Sequence, residues 1–335
     1  MNGLTLPSEI PHEMVIKSQE TTDPNFGKPP ASRTISELLA NSLIYLDKPS
    51  GPTSHEVVAW LKKILGIAKI GHGGTLDPKV TGVLPCAIGP KALKAIEAIQ
   101  SAGKEYVCIM KLHREQPRKL VESAFELFTG EIIQRPPLRS SVARKLRTRQ
   151  IYYAKILEVD GPRILFRIGC EAGTYIRKFC YDIGEVLLCG AHMAELRRTK
   201  IGRVYESLPI KTLQDVTDAI YYFREKGDET FLKKILKPIE DGVQHVPKII
   251  LRDAAIDAIC HGADLAAPGP LEIDASIKAG DDIAMFSQKG ELVAIGQATH
   301  NAREILKMSN GIVAKTTKVF MDRGTYPASW GKNAQ

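Results

Sequence analysis

Apolar and polar positions change period along this chain, and each change marks an element. Residues 151–159 (IYYAKILEV) and 164–172 (ILFRIGCEA) are two β-rich runs on either side of DGPR, a pattern that predicts a hairpin within a larger sheet. Beyond it, Ile176, Phe179, Cys180, Ile183 and Leu187 recur at helical spacing. They predict one apolar face packed on the sheet, with Arg177 off that face. Near the C-terminus RDAAIDAICHG predicts a short helix with Asp253 as N-cap and Gly262 as its stop. Asn301 and Glu304 stand at capping-box spacing, and DDIAMFSQKGELVAIGQA reads as a hairpin turning at Lys289 and Gly290. No tandem repeat or low-complexity tract interrupts these elements.

These elements give an α+β fold, a mixed or antiparallel sheet flanked by helices with a smaller domain after it. The Pro-rich, polar segment TTDPNFGKPPASRT reads as an extended arm ending near residue 40. The polar, turn-rich stretch 226–247 reads as a connection, so the expected divisions are 1–40, 41–245 and 246–335.

Candidate chemistry concentrates in residues 71–89, GHGGTLDPKVTGVLPCAIG, with five glycines, two prolines and one carboxylate, Asp77. Proline after Asp77 biases that residue toward extended backbone, and glycines open conformations closed to other residues. From the residues alone this is either a tight surface turn or a loop shaped to present one side chain. Arg177 falls in the first turn of its predicted helix, where the helix dipole disfavours a cation, so an anionic partner is expected there. Residues 135–149 carry Arg135, Arg139, Arg144, Lys145, Arg147 and Arg149 with no acidic side chain, a pattern suited to phosphate contacts.

Composition adds a basic balance, net charge +8 and pI near 9.0 over 335 residues, consistent with a polyanionic partner. Six cysteines without a CxxC pair read as buried free thiols rather than a zinc site or disulfide framework. No apolar run spans a bilayer and no signal pattern opens the chain, so no membrane association and a cytoplasmic location are expected.

The string GHGGTLDPKVTGVLP resembles the signature of the TruB and dyskerin family of pseudouridine synthases. Four further segments follow in that family's order: LDKPSGPTSHEVV, GKEYVCIMKLH, GCEAGTYIRKFCYDIGEVL and HMAELRRTKIG. The C-terminal region, with HGADLAAPG and KVFMDRGTYPASW, resembles a PUA domain, a small β-barrel-like RNA-binding module. The PUA ending, together with the long arm before LDKP, resembles the archaeal and eukaryotic dyskerin type, and the missing lysine-rich tails point to an archaeal source.

The resemblance implies a specific set of residues. Asp77 is the catalytic carboxylate, Arg177 its ion-pair partner, and Tyr106 the ring that stacks on the target base. His72 helps hold the flipped nucleotide, Lys48 supports the active-site loop and Leu196 lines the pocket. Arg139, Arg144, Lys145 and Arg147 belong to a loop closing over RNA, and His261, Gly262 and Gly269 lie on the PUA contact edge. The arm is expected to pack on the PUA domain. The implied reaction turns uridine into pseudouridine in rRNA or tRNA without a cofactor. The implied partners are tRNA, rRNA, a box H/ACA guide RNA and the accessory proteins of that ribonucleoprotein. Gly324 and REQPRKL (114–120) depart from the acidic residues expected there and bear on partner surfaces rather than chemistry. The rival reading is a non-catalytic RNA-binding scaffold, against which stand Asp77, Tyr106 and Arg177 together.

Overall fold

A computed structural model describes residues 5–135, 145–207 and 210–328. By contact density the chain forms two compact units that are discontinuous in sequence: 1–10, 44–86 and 99–231 in one, 11–43, 87–98 and 232–335 in the other. The linear reading had divided the chain near 40 and 246.

The first unit is built on a mixed sheet with strand order Ser42–Lys48, Thr81–Ile88, Ala191–Ile201, Lys104–Leu112, Arg163–Cys170, Arg147–Asp160, Gly130–Gln134. Thr81–Ile88 and Ala191–Ile201 run parallel, while the four pairings from Ala191–Ile201 onward are antiparallel. The hairpin predicted around DGPR is the pair Arg147–Asp160 and Arg163–Cys170, with Gly161 at φ +53° in the turn. On one face lies the helix Ile176–Val186. Its Ile176, Phe179, Cys180 and Ile183 are buried and Leu187 packs partly buried against the same core, so the apolar face is the predicted one. Phe125, Phe166 and Phe179 meet edge-on or tilted with ring centroids 5.0 to 5.8 Å apart, each contributing about 2–3 kcal/mol by burial. This packing sets the height and rotation of the helix, and therefore where Arg177 emerges.

The second unit contains a sheet ordered Met14–Ile16, Pro270–Asp274, Lys248–Leu251, Asp282–Phe286, Leu292–Ala298, Ile312–Val319, Leu265–Ala266. Asp282–Phe286 and Leu292–Ala298 form the predicted hairpin, and Gly290 in its turn has φ +81°. Asn301 and Glu304 make the capping box of helix Ala302–Lys307. The N-terminal arm contributes a strand of its own, Met14–Ile16, antiparallel to Pro270–Asp274. Lys17 Nζ then donates to the carbonyls of Ala267, Ile305 and Met308 at 2.7, 2.7 and 2.8 Å.

Two expectations change. Asp253 does not cap its helix: Arg252 is the N-cap, and the Asp253 carboxylate instead accepts from Thr22 Oγ1 and the Asp23 amide. An N-terminal segment that supplies its own donors outcompetes the helix's free amides for that carboxylate. The stretch 226–247 is not a solvated connection, because it holds helix Thr230–Ile235 and the 3-10 helix Ile239–Val243, with Leu232, Ile235, Leu236, Ile239 and Val243 buried. Its polar residues are the outer faces of short amphipathic turns, which look like linker in one dimension. Of the cysteines, five are buried and Cys189 is half-buried.

Candidate active site

The loop that carries Asp77 is held by backbone rather than by side-chain bulk. Strand Ile70–His72 leads into it, and the Gly73 amide donates to the Pro85 carbonyl at 2.8 Å. The Asp77 carbonyl accepts from the Val80 amide at 3.0 Å, closing a tight turn over Pro78. Leu76 and Val80 on either side are buried in the core, so the carboxylate between them is pushed outward and is half-exposed. Ser54, buried in the first turn of helix Ser54–Leu65, accepts from the Leu76 amide at 2.9 Å and donates to its carbonyl at 3.1 Å. Ser54→Ala leaves both Leu76 groups without that partner. It is expected to cost about 1–3 kcal/mol in urea unfolding, and an unchanged midpoint would show that the clamp is dispensable.

Lys48 is fully buried at the end of its strand. Its Nζ donates to the carbonyls of Pro49, Pro78 and Val80, each at 2.9 Å, so one ammonium ties two segments of the loop together. Burial lowers its pKa, and the nearby Asp77 charge opposes that shift.

Arg177 reaches the loop from helix Ile176–Val186. The start of that helix is fixed by Gln134, whose buried amide group accepts from the Tyr175 amide at 3.0 Å and donates to the Tyr175 carbonyl at 3.2 Å. Arg177 Nη2 pairs with Asp77 Oδ2, joining residues 100 positions apart. The pair accounts for a cation at a helix N-terminus, where the dipole alone would disfavour it.

Tyr106 stands on the central strand Lys104–Leu112 and is nearly buried, its pKa raised by burial and by the neighbouring Asp77 charge against the opposing influence of Arg198. Leu196, two strand positions from Arg198, packs half-buried on the same core. His72 is half-buried, its ring edge-on to His55 at 5.1 Å, and burial lowers its pKa. Asp77, Arg177, Tyr106, Lys48, Leu196 and His72 thus all belong to one unit.

One residue escaped the sequence reading. Arg198, 1 % exposed, donates from Nε to the Val83 carbonyl at 2.8 Å and from Nη2 to the Gly74 carbonyl at 3.1 Å, and it is the register partner of Tyr106 on the neighbouring strand. The available signal was the second arginine of ELRRT, at a position where strand alternation aims inward.

Of the RNA-contact candidates, Arg139 and Arg144 lie outside the described residues. Lys145 is exposed and Arg147 opens the strand that follows it. In the second unit, His261 is exposed after helix Asp253–Cys260 and Gly262 has φ +93° with open space about its Cα. Gly269 lines a groove of about 300 Å³ with Arg252, Ala255, Ala258 and Leu265. A Cβ there would sit 2.6 Å from the Leu265 side chain, so a larger residue would require Leu265 to shift. No helix among the described residues is long and apolar enough to cross a membrane.

Known proteins place this geometry in context. Four domain families match in sequence: DKCLD over residues 6–58, the TruB family pseudouridylate synthase N-terminal domain over 62–120, the tRNA pseudouridylate synthase B C-terminal domain over 177–244, and the PUA domain over 247–320. A probable tRNA pseudouridine synthase B of Methanosarcina barkeri is 52% identical, covering 98% of this chain and 96% of its own. That of Pyrococcus furiosus is 49% identical, covering 98% and 96%. Among solved structures, a Cbf5-Nop10-Gar1 complex contains a chain 49% identical with a TM-score of 0.92, covering 96% of this chain and 98% of that one. An H/ACA RNP bound to a substrate RNA containing 2'-deoxyuridine contains one at 46% identity and a TM-score of 0.91, covering 97% and 100%. With identity of this level along almost the whole length, the chain belongs to the TruB family of pseudouridylate synthases, enzymes that convert uridine in RNA to pseudouridine.

Proposed function

We propose that this synthase acts on rRNA and tRNA uridines from within a box H/ACA ribonucleoprotein, with Asp77 as its catalytic carboxylate. The observation that carries the reading is the Asp77–Arg177 ion pair, formed between a glycine-rich loop and a helix N-terminus beside Tyr106. Arg177 pairs with the carboxylate and restricts its rotation. The ionised Asp77 either attacks the sugar C1′ or removes the neighbouring C2′ proton; in both cases the C1′–N1 electron pair departs with uracil. The base turns on the Tyr106 ring and C5 joins C1′ as the Asp77–C1′ bond breaks or, on the other route, as Asp77 returns the proton to C2′; the C5 proton is then released and N1 takes one up. Leu196 walls the pocket, His72 holds the flipped nucleotide, and Lys48 keeps the loop in place.

Residues 41–245 carry this chemistry and 246–335 hold RNA, through His261, Gly262 and the groove beside Gly269, with residues 11–40 of the arm packed on them. Arg139, Arg144, Lys145 and Arg147 contact substrate phosphates. Guide RNA and accessory proteins such as those in the Cbf5-Nop10-Gar1 and H/ACA RNP structures select the uridine. The enzyme works in the cytoplasm, in keeping with its similarity to the archaeal Nop10-Cbf5 complex.

Tritium release from RNA labelled at uracil C5, measured with and without guide RNA and accessory proteins, assigns the mode. Guide-dependent release on rRNA supports the proposal, and equal release without the guide replaces it with a stand-alone tRNA enzyme. Arg177→Ala is expected to slow release by about 10² to 10³ with RNA affinity unchanged, about 3–4 kcal/mol of transition-state stabilisation. Arg177→Lys recovers part of the loss because it keeps the charge but not the planar fork.

A further inference from the structure

Behind the loop lies a cation with no counter-ion. The Arg198 guanidinium is withdrawn from water, and among the described residues it donates to two carbonyls and to no carboxylate, with Tyr106 as its neighbour across the strand pair. Arginine keeps its proton in proteins, so this is a full positive charge in a low-dielectric setting. Such a charge costs several kcal/mol to bury without an anion, and a neutral amide could serve two carbonyls at lower cost. Architecture alone therefore leaves the charge unexplained. Its placement is specific: Tyr106 and Arg198 are direct partners in the register of strands Lys104–Leu112 and Ala191–Ile201. On the other side, Gly74 at φ +119° has no side chain, and a Cβ there would come within 3.5 Å of Arg198 Nη1.

We propose that Arg198 is a positioning residue whose charge, delivered through Tyr106, stabilises the negative charge that uracil acquires when its glycosidic bond breaks. This rests on the reading of Tyr106 as the ring that stacks on the target base. As the C1′–N1 bond breaks, its electron pair moves into the uracil ring. The substrate brings the anion that the resting site lacks, so the attraction is stronger in the transition state than in the ground state, which is the condition for catalysis.

The test exploits leaving-group chemistry. Fluorine at C5 withdraws electron density and stabilises the uracil anion by itself, so a 5-fluorouridine target depends less on Arg198. Single-turnover loss of the target nucleoside is measured with the full chain, guide RNA and accessory proteins, for wild type, Arg198→Gln and Arg198→Lys. Arg198→Gln is expected to lose about tenfold more rate on uridine than on 5-fluorouridine, and Arg198→Lys to keep the wild-type ratio. Because both rates come from one preparation, their ratio is independent of the folded fraction. Equal losses on the two targets, or a larger loss on 5-fluorouridine, overturn the proposal and leave Arg198 a structural tie. If Gln does not fold at all, a wild-type ratio in Lys supports the charge and an altered one overturns it. Loss of wild-type turnover on both targets instead removes the underlying reading of the site.

Discussion

Asp77→Asn is expected to lower tritium release from C5-labelled RNA by at least about 10³-fold, about 4 kcal/mol or more, while RNA affinity stays within about twofold. The amide is nearly the same size, so the turn closed by the Asp77 carbonyl and Val80 amide and the burial of Leu76 and Val80 survive. What is lost is the charge. An amide can neither attack C1′ nor take up a proton, and it leaves Arg177 without its partner at the helix N-terminus. Filter binding on the same RNA separates the two effects. Residual release above about one tenth of wild type would place the chemistry on another group, and the whole pocket would need to be reassigned.

Lys48→Met is expected to be the most damaging change outside the reacting groups, costing roughly 2–4 kcal/mol of stability and most of the activity. Three carbonyls, that of Val80 buried and those of Pro49 and Pro78 partly so, lose their common donor, and among the described residues only Pro78 keeps a second one, the Gly51 amide. An unpaired buried polar group costs about 1–3 kcal/mol, and relief from burying the ammonium returns only part of this. Pro78 follows Asp77 directly, so the carboxylate loses its fixed position along with the turn. Arg at 48 does not rescue, since a planar fork cannot point three donors into a compact cage. Urea unfolding measures the stability and single-turnover release the activity. A variant as stable as wild type would show that water replaces the ammonium.

Both predictions rest on residues that were legible in one dimension, and the reasons are local. The glycine spacing of 71–89 and the proline after Asp77 restrict backbone conformation within a few residues, so a presented carboxylate could be read directly. The same holds for the DGPR hairpin and for the apolar face of Ile176–Val186, because period-2 and period-3.6 patterns are properties of neighbouring residues. A capping box at Asn301 and Glu304 needs only a spacing of three.

Failures came where a side chain chose between local and distant partners. Asp253 looked like an N-cap because the helix offered amides, but Thr22 and Asp23, more than 200 residues earlier, offered donors too. The stretch 226–247 looked like a linker because its turns are short and their outer faces polar. Arg198 stood inside the HMAELRRTKIG segment, but nothing in one dimension marked its guanidinium as buried.

By itself the sequence determined the family, most of the elements and which carboxylate is the candidate for the chemistry, because each is encoded in short-range pattern. The family resemblance implied that Arg177 pairs with Asp77, and the tertiary structure brings them together across 100 residues; only the structure decided that Lys48 serves three carbonyls. Only it showed that a buried guanidinium backs Tyr106 without a counter-ion among the described residues. Ion pairing and desolvation depend on distance and burial in three dimensions, and neither can be counted along a chain.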